Sequence, residues 1–255
     1  MDRKEQILQV ARREGRVMVD GLAEAFGVSA HTIRRDINAL CEEAKLRRLH
    51  GGAEYIEGQA NLPYHARAVL NFDEKSAIAR EVAKVIPDGA TLFISIGTTP
   101  AIVAGALAEK QALTVITNNL NAAFALSENP GNRIILPGGE MRLPDRDILG
   151  PEAVDLFRTY RADFGIYGVG GIDHDGSLLD FHAAEVQMRE QMRANSRRSI
   201  LVADRTKFGR RAAAVGGQLD EAGMVVLDRA PGDDWQPLLE GYPGKLVLAM
   251  EAGDV

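Results

Sequence analysis

Apolar residues recur with the period of an amphipathic helix along the first 43 residues of the chain. The pattern predicts three helices, and Gly15 and Gly27 separate them because glycine readily adopts the left-handed backbone that ends a helix. Asp20 is placed to cap the second helix. Ser29 is placed in the same way before the third helix, which we expect over about residues 30–43.

A basic hairpin is predicted directly after these helices. Residues 46–50 (LRRLH) and 53–56 (AEYI) have the composition of short strands, and Gly51 and Gly52 between them permit a tight turn. Helices followed by a basic hairpin make a winged helix-turn-helix, which we place at residues 1–57.

The third predicted helix has an apolar side and a polar side. Because each residue turns the helix by about 100°, Ile37 and Leu40 fall within roughly 40° of Ile33 and can pack inward. The opposite side carries arginines and an asparagine, which pair with guanine and adenine edges. Asp36 lies on the flank near the core, where we expect it to hold an arginine in place. The residues that we expect to contact DNA, on this helix and on the hairpin, are Ser29, His31, Thr32, Arg34, Arg35, Asn38, Arg47, Arg48 and His50.

A solvated amphipathic helix is the alternative interpretation of this pattern. Three features favour DNA binding: the short glycine turn before the helix, the small Ala23 where the helices cross, and the basic hairpin. Basic side chains on the hairpin would contact phosphates or the minor groove and position the domain without reading much sequence. Plain surface charge is the alternative role for them.

Apolar runs rich in β-formers alternate with helical segments in the second part of the chain. Residues 58–72 show no clean period and contain Pro63, so we interpret them as a linker and residues 73–255 as one α/β domain. Near-continuous apolar strands separated by helices are typical of a largely parallel sheet that is covered on both faces. The predicted strands are residues 91–96, 113–117, 133–137, 163–169, 199–203, 224–227 and, last, 245–249.

The charge distribution limits how the chain can bind a polyanion. Its net charge is −6, so the field of the whole protein does not attract DNA. Residues 1–57 carry ten Lys/Arg and ten Asp/Glu, whereas residues 45–50 (KLRRLH) carry three positive charges and no negative one. DNA binding therefore has to depend on a local patch.

Two further features concern location. Cys41 is the only cysteine, which excludes an internal disulfide and fits a reducing compartment. No stretch reaches the roughly 20 apolar residues of a membrane span, and the charged N-terminus has no signal-peptide core. We therefore expect a cytoplasmic protein without a membrane partner.

A candidate anion site follows the first strand of the second domain. There Gly97-Thr98-Thr99-Pro100 leads into a helix, and because proline favours the first helical position, Thr99 is the expected N-cap. The N–H groups and the positive dipole end of a helix start bind anions. A turn without a ligand is the alternative, since many α/β folds contain one.

Glycines and polar residues also follow the other predicted strands, and ligands of open α/β sheets bind at the carboxyl ends of strands. Glycines allow close approach, asparagines bind hydroxyl groups, and a lysine balances a phosphate. A small phosphorylated polyol or sugar is therefore the expected ligand, with an ordinary turn residue or surface lysine as the alternative at each single position. We expect neither a cofactor nor a metal. The residues expected to bind this effector are Gly97, Thr98, Thr99, Asn118, Asn119, Gly139, Gly171, Asp173 and Lys207.

Ordered motifs along nearly the whole chain resemble the DeoR family of bacterial transcriptional regulators. The resemblance implies a sensor domain related in fold to ribose-5-phosphate isomerase, with a phosphorylated metabolite in its pocket. It also implies a repressor that releases operator DNA when the metabolite binds, and a homo-oligomer, either a dimer or a tetramer. The matching motifs are Thr32-Ile33-Arg34-Arg35-Asp36, His50-Gly51-Gly52-Ala53, Ile96-Gly97-Thr98-Thr99, Thr117-Asn118, Gly138-Gly139, Gly150-Pro151, Gly171-Ile172-Asp173 and Lys207-Phe208-Gly209-Arg210.

Within this family, three segments look most like the members that control glycerol metabolism: residues 94–99, 118–120 and 177–181. That similarity implies glycerol 3-phosphate as the effector. Pro100 and His182 depart from the pattern of those members, so a different sugar phosphate stays open as the effector.

A sugar-phosphate isomerase fused to a DNA-binding module is the rival expectation. Asp173, Glu185 and Lys207 would supply an acid, a base and a cation. The paired acids of an isomerase glycine loop are not both present, since Gly170 and Gly171 occupy the neighbouring positions, and we therefore expect no enzymatic activity. An activator or a constitutive DNA-organising protein would be distinguished from a repressor by the position of its operator, and a protein sequence does not give that position.

Overall fold

A computed structural model describes residues 2–14, 16–42, 45–49, 51–55 and 62–250. His50 lies outside the described residues, and so does the side chain of Arg47. The chain divides into two compact units, Met1–Leu70 and Asn71–Val255. The division falls inside the stretch that the sequence predicts to be a linker.

Helices and a small antiparallel sheet make up the first unit. Its helices are α1 (Arg3–Glu14), α2 (Val19–Phe26), α3 (Ala30–Glu42) and α4 (Tyr64–Val69). Its strands are β1 (Arg16–Met18), β2 (Leu46–Leu49) and β3 (Gly52–Tyr55). The strands form one sheet in the order β1-β3-β2, with both pairings antiparallel. The predicted winged helix-turn-helix is confirmed.

The end of α2 and the start of α3 are capped as predicted, whereas the start of α2 is not. Gly27 ends α2 with a left-handed φ of 64°, and Ser29 Oγ accepts a hydrogen bond from the N–H of Thr32 at 3.1 Å, as an N-cap of α3 does. The prediction that Asp20 caps α2 is wrong, because the helix begins at Val19 and Asp20 already lies in its first turn. The N–H of Val19 donates to the Gly51 carbonyl at 2.9 Å, so the hairpin holds the chain at the residue where α2 begins.

The apolar side of α3 lies in the core of this unit. Ile33 and Ile37 are fully buried and Leu40 is 1% exposed. They pack with Ile7 of α1 and Leu22 of α2 in one hydrophobic cluster. The helical period of the sequence thus predicts the inward side of α3 correctly.

The stretch predicted to be an irregular linker contains a short helix. α4 covers Tyr64–Val69, and Pro63 precedes it in the cap position. None of the residues of α4 is buried, so the helix produces no apolar period that the sequence pattern would reveal. Residues 58–61 lie outside the described part of the chain.

The second unit is an α/β domain. Its helices are α5 (Phe72–Val85), α6 (Thr98–Ala106), α7 (Leu120–Ser127), α8 (Pro151–Thr159), α9 (Ala183–Ala194) and α10 (Gln236–Glu240). Its strands are β4 (Thr91–Ile94), β5 (Thr114–Thr117), β6 (Arg133–Ile135), β7 (Met141–Arg142), β8 (Asp147–Ile148), β9 (Ala162–Tyr167), β10 (Gly171–Ile172), β11 (Ser177–Asp180), β12 (Ser196–Ala203), β13 (Ala214–Gln218), β14 (Met224–Leu227) and β15 (Lys245–Leu248).

Seven of these strands form a parallel sheet in the order β15-β14-β12-β9-β4-β5-β6. Both faces of the sheet are covered. In β4, Leu92 and Ile94 pack in a cluster with residues of α5, α6 and α7, whereas Phe93 between them packs on the other face against Phe157 of α8. Because both faces are buried, the strands appear in the sequence as continuous apolar runs. The predicted parallel sheet is confirmed.

The strand order reverses direction at the centre of the sheet. After β4 the chain continues to β5 and β6 on one side, and after β9 it continues to β12, β14 and β15 on the other side. The connections that leave β4 and β9 therefore diverge and leave a crevice at the carboxyl edge, which is where open α/β sheets bind ligands.

Candidate DNA interface and effector site

The polar side of α3 is open to solvent. His31, Arg34, Arg35 and Asn38 are all exposed, and they lie opposite the buried apolar side. A single helix of this kind fits into the major groove of DNA, where arginine and asparagine side chains reach base edges.

Asp36 connects α3 with α1. The residue is 7% exposed, and its Oδ2 accepts a hydrogen bond from Nε of Arg3 at 2.6 Å. This confirms the expectation that Asp36 holds an arginine in place, and the structure identifies that arginine as a residue of α1.

Arg3 and Lys4 are residues that the sequence analysis missed. Together with His31 and Arg35 they line a cleft of about 410 Å³ beside the polar side of α3. They extend the positive surface of α3 onto the start of α1. The signal that could have found Arg3 was Asp36, because an acid at the edge of a core requires a partner.

The remaining predicted DNA contacts lie at the start of α3 and on the hairpin. The hydroxyl groups of Ser29 and Thr32 share a hydrogen bond of 2.9 Å, so their local role is to cap the helix. Arg48 is exposed on β2, in register with Ala53 of β3. The DNA contacts of all these residues, and those of Arg47 and His50, stay predictions.

The turn between β4 and α6 begins the candidate effector site. The prediction that Thr99 is the N-cap is wrong: Gly97 is the cap, with φ 108°, and α6 begins at Thr98. Pro100 is therefore the third helical residue, where its missing N–H costs nothing because the first four N–H groups of a helix have no partner within it. Thr98 and Thr99 are 6% and 5% exposed, so this helix start lies in a recess.

Asn119 holds this turn in place. Its Nδ2 donates to the carbonyls of Ser95 and Gly97 at 3.0 and 3.1 Å. Its Oδ1 accepts from the N–H groups of Asn121 and Ala122, so it also caps α7. Asn119 thus shapes the Gly97 turn, and a contact of its side chain with an effector would require the exchange of one of these partners.

Asn118 offers an acceptor next to this turn. The residue is fully buried, and its Nδ2 donates to the Ile148 carbonyl at 2.9 Å. Its Oδ1 has no hydrogen-bond partner in the part of the chain that the structure describes. A buried oxygen of this kind costs free energy until a donor reaches it.

The hairpin β7–β8 adds an ion-pair network at the end of β5. Arg142 donates to both carboxylate oxygens of Asp147 at 2.7 Å and to Oε1 of Glu185 at 3.1 Å. Burial, together with the nearby charges of Asp145 and Glu185, raises the pKa of Asp147 despite Arg142, and the hydrogen bond that Arg142 donates to Asp147 is the main cause that raises the pKa of Arg142. Glu185 also accepts from the N–H of His182 at the start of α9, so both of its oxygens are engaged.

Asp180 lies at the end of β11, beside the loop that follows β9. Its Oδ1 accepts from the N–H of Gly170 at 2.8 Å, and its Oδ2 accepts from Nε of Arg189 at 3.1 Å. Arg189 is only 1% exposed. Burial raises the pKa of Asp180 to about 6 despite the nearby arginine. Asp180 lies in the family-like segment of residues 177–181, and neither it nor Arg189 is among the predicted site residues.

Lys207 lies in the short 3-10 turn Arg205–Lys207 that follows β12. It neighbours Asp204, which is 2% exposed and accepts from the N–H of Thr206. Burial alone would raise the pKa of Asp204, but Lys207, the Thr206 hydroxyl and Lys75 outweigh burial and lower it. Because β12, β9 and β4 are adjacent strands, this turn and the Gly97 turn lie two strand spacings apart, about 10 Å.

Lys75 is a further cation that was not among the predicted site residues. It lies on α5 and is only 3% exposed. A signal was present, because Lys75 has the helical spacing of Ile78, Ala79 and Val82, which are all buried. A lysine within an apolar stripe indicates a buried charge that needs a partner.

Three predicted effector residues have other roles in the fold. Gly139 has φ 121° and lies over Ile148. A Cβ on Gly171 would come within 1.9 Å of the Arg210 carbonyl, so packing alone requires this glycine. Asp173 is exposed in the turn between β10 and β11, where its Oδ1 accepts from the N–H of His174, at the opposite end of the hairpin from Asp180. No described contact joins Asp173 to the Gly97 turn.

No helix in the described part of the chain combines the length and the apolar character that a membrane crossing requires.

Comparison with known proteins gives consistent results for both units. Residues 3–59 match the DeoR-like helix-turn-helix domain, and residues 70–229 match the DeoR C terminal sensor domain. The chain is 44% identical over 225 residues to the glycerol-3-phosphate regulon repressor of Escherichia coli (strain K12), which covers 88% of this chain and 89% of that protein. It is 43% identical over 229 residues to the repressor of the same name from Haemophilus influenzae, which covers 90% and 89%.

The HTH-type transcriptional repressor CsqR of Escherichia coli (strain K12) is 36% identical over 249 residues, covering 98% of this chain and 95% of that protein. Among solved structures, ribose 5-phosphate isomerase A from Neisseria gonorrhoeae overlaps with 54% of this chain and 53% of its own, at 14% identity and a TM-score of 0.39. The assignment depends on the sequence matches, which span both units, and by these matches the chain belongs to the DeoR family of transcriptional regulators.

Proposed function

We propose that this chain is a cytoplasmic transcriptional repressor that binds operator DNA through α3 and the hairpin β2–β3. A phosphorylated metabolite in the crevice at the carboxyl edge of the sheet releases it from DNA. The names of the relatives support glycerol 3-phosphate as the first candidate for that metabolite.

The Gly97 turn is the observation that carries the effector proposal. A nine-residue helix begins there, at the reversal of strand order, and Asn119 holds its first turn in position. The N–H groups at the start of α6 and the Thr99 hydroxyl would bind the phosphate, and Lys207 and Lys75 would balance its charge. Asn118 Oδ1 would accept a hydrogen bond from a hydroxyl group of the metabolite.

Catalysis is not part of this proposal. The rival enzyme needs a base, and both oxygens of Glu185 already accept hydrogen bonds from Arg142 and from the N–H of His182. Asp173, the other candidate acid, lies at the far turn of the β10–β11 hairpin. Incubation with glycerol 3-phosphate or ribose 5-phosphate should leave both compounds unchanged, and turnover of either would favour the isomerase instead.

Release from DNA requires that the metabolite binds the DNA-incompetent state more tightly than the competent state. A coupling of about 1–3 kcal/mol, or about 5–150-fold in affinity, is typical of such regulation.

Because two-fold symmetric proteins bind palindromic operators, we also propose a homo-oligomer, a dimer or a tetramer, whose mass light scattering would measure.

The test uses the full chain and a duplex selected from a random pool for binding. Fluorescence anisotropy should show release of this duplex by glycerol 3-phosphate and a weaker effect of ribose 5-phosphate. A Thr99→Val variant should bind the duplex as the parent does and lose the response to the metabolite. The matched control is Thr114→Val, the same change at the amino end of β5, which should keep the response. If Thr99→Val still leaves DNA at the parent's metabolite concentration, the anion site is not at α6.

A further inference from the structure

A second polar cleft lies at the amino edge of the parallel sheet, opposite the effector crevice. β12 begins at Ser196, whereas its neighbour β14 begins at Met224, which pairs with Ile200. Within the described residues, the first part of β12 therefore has β9 on one side and no paired strand on the other. The gap opens a cleft of about 460 Å³, which is within the range of small-molecule sites, about 300–1,000 Å³.

Positive side chains are concentrated around this cleft. Arg193, Arg197, Arg198 and Lys245 line it, together with the acidic Glu221. The surrounding domain has the opposite sign, since residues 71–255 carry 19 Lys/Arg and 26 Asp/Glu. A cleft in which one sign of charge predominates raises the local concentration of ligands of the other sign.

Two of these cations have carboxylate partners and two have none among the described residues. Arg193 pairs with Glu190 at 2.8 Å and Glu221 at 3.3 Å, and Arg197 lies 3.6 Å from Asp163. Arg198 instead lies with its guanidinium 5.5 Å from the centre of the Phe164 ring. Arg198 and Lys245 thus leave hydrogen-bond donors for an anion, and an arginine–phosphate pair is among the stronger hydrogen-bonded contacts.

The cleft also has an apolar wall. Val85 of α5, Phe164 of β9 and Met224 of β14 contribute to its lining. A compact polyol phosphate has no apolar surface to cover this wall. A ligand with a phosphate at one end and a flat, weakly polar body at the other would use both parts of the lining.

We propose that this cleft binds a phosphorylated organic anion of the nucleoside monophosphate class. The phosphate lies against Arg198 and Lys245, and the base lies against Val85 and Met224. The site is separate from the effector crevice, because the two lie at opposite edges of the same sheet, so both ligands bind at once.

The test is isothermal titration of the full chain with AMP as the probe, and with inorganic phosphate and adenosine as its two fragments. AMP should bind once per chain, and each fragment should bind at least about tenfold more weakly, a difference of about 1.4 kcal/mol. The double variant Arg198→Gln/Lys245→Gln should weaken AMP binding by at least about tenfold. Arg158→Gln is the control, since it removes one positive charge from an exposed arginine on α8 and should leave AMP binding unchanged.

Two readouts keep this test separate from the proposed effector site. The double variant should melt at the parent's temperature, because both side chains are exposed, and glycerol 3-phosphate should still release it from DNA. The proposal is overturned if the parent does not bind AMP at millimolar concentration. It is equally overturned if the double variant binds AMP as tightly as the parent, which would place AMP in the effector crevice or elsewhere.

Discussion

The polar side of α3 and the crevice at the carboxyl edge of the sheet present their polar groups in opposite ways. On α3, side chains such as Arg35 and Asn38 are exposed, and a separate apolar side holds the helix in the core. In the crevice, residues such as Asn119, Asp180 and Arg189 are buried and hydrogen-bonded to one another or to backbone. On α3, the residues that hold the fold are therefore not the residues proposed to bind DNA. In the crevice, the polar residues are themselves part of the packed fold.

The largest expected effect comes from breaking the buried pair of Asp180 and Arg189. An Arg189→Met variant leaves the buried carboxylate without its cation, and this should lower the free energy of unfolding by about 3–5 kcal/mol. Urea denaturation followed by circular dichroism at neutral pH measures the loss. The matched control is Arg158→Met, whose pair with Asp155 is more than 60% exposed on both sides and should cost less than about 1 kcal/mol. If the two variants lose equal free energy of unfolding, the buried pair contributes no more to stability than the exposed pair.

A smaller effect should appear as a pH dependence that originates in Asp180. Burial raises the pKa of Asp180 from 3.8 to about 6 in the folded chain, so the fold binds this proton more tightly than the unfolded chain does. The stability that protonated Asp180 contributes is complete below about pH 4 and is lost as the pH rises through about 6, by up to about 3 kcal/mol. Unfolding of the parent and of Asp180→Asn, compared between these pH values, measures it. The parent should lose stability relative to the variant, and parallel curves would contradict the assignment.

On α3, replacement of Arg35 by alanine should affect DNA binding and not folding. Arg35 is exposed, so its loss leaves the core intact. If its guanidinium reads a guanine, affinity for the selected duplex should fall by about 1–3 kcal/mol, while the melting temperature stays that of the parent. Anisotropy titrations at one fixed salt concentration measure the affinity. Tight binding by Arg35→Ala would show that this side of α3 does not face the groove.

The smallest effect concerns the cap of α3. Ser29→Ala removes the acceptor for the N–H of Thr32 and should lower the free energy of unfolding by about 1 kcal/mol. Ser29→Asp keeps an acceptor at the cap, and it should restore most of this loss. Thermal unfolding of the two variants beside the parent gives the comparison, and equal stability of Ser29→Ala and the parent would mean that the cap contributes nothing.

Patterns that repeat over a few residues were sufficient to predict much of the fold. The two sides of α3, the Ser29 cap and the parallel sheet can each be predicted from residues that are close together in the sequence. Asp20 and Thr99 were wrong as caps, because the Gly51 carbonyl fixes the start of α2 and Gly97, held by Asn119, precedes α6. Short-range patterns do not contain those distant partners.

The sequence predicts where the candidate effector residues gather better than it predicts what each of them contacts. Residues after β4, β5 and β12 do gather at one edge, as the carboxyl ends of parallel strands must. Asn119 and Gly171, however, are used to shape turns and to allow close packing, and Asp173 lies at a distant hairpin turn. Whether a polar side chain meets a ligand or a backbone carbonyl depends on the residues opposite it, which only the folded chain brings near.

The sequence by itself determined three things: the two kinds of domain, the inward side of α3, and the edge of the sheet where polar residues collect. These follow from hydrophobic periods of two or 3.6 residues and from the parallel direction of the strands. The tertiary structure decided which charges meet. Arg3 pairs with Asp36 across 33 residues, and Lys75 on α5 approaches Asp204, which follows β12. A buried charge is stable only beside its partner, and that partner becomes a neighbour only when the whole domain has packed.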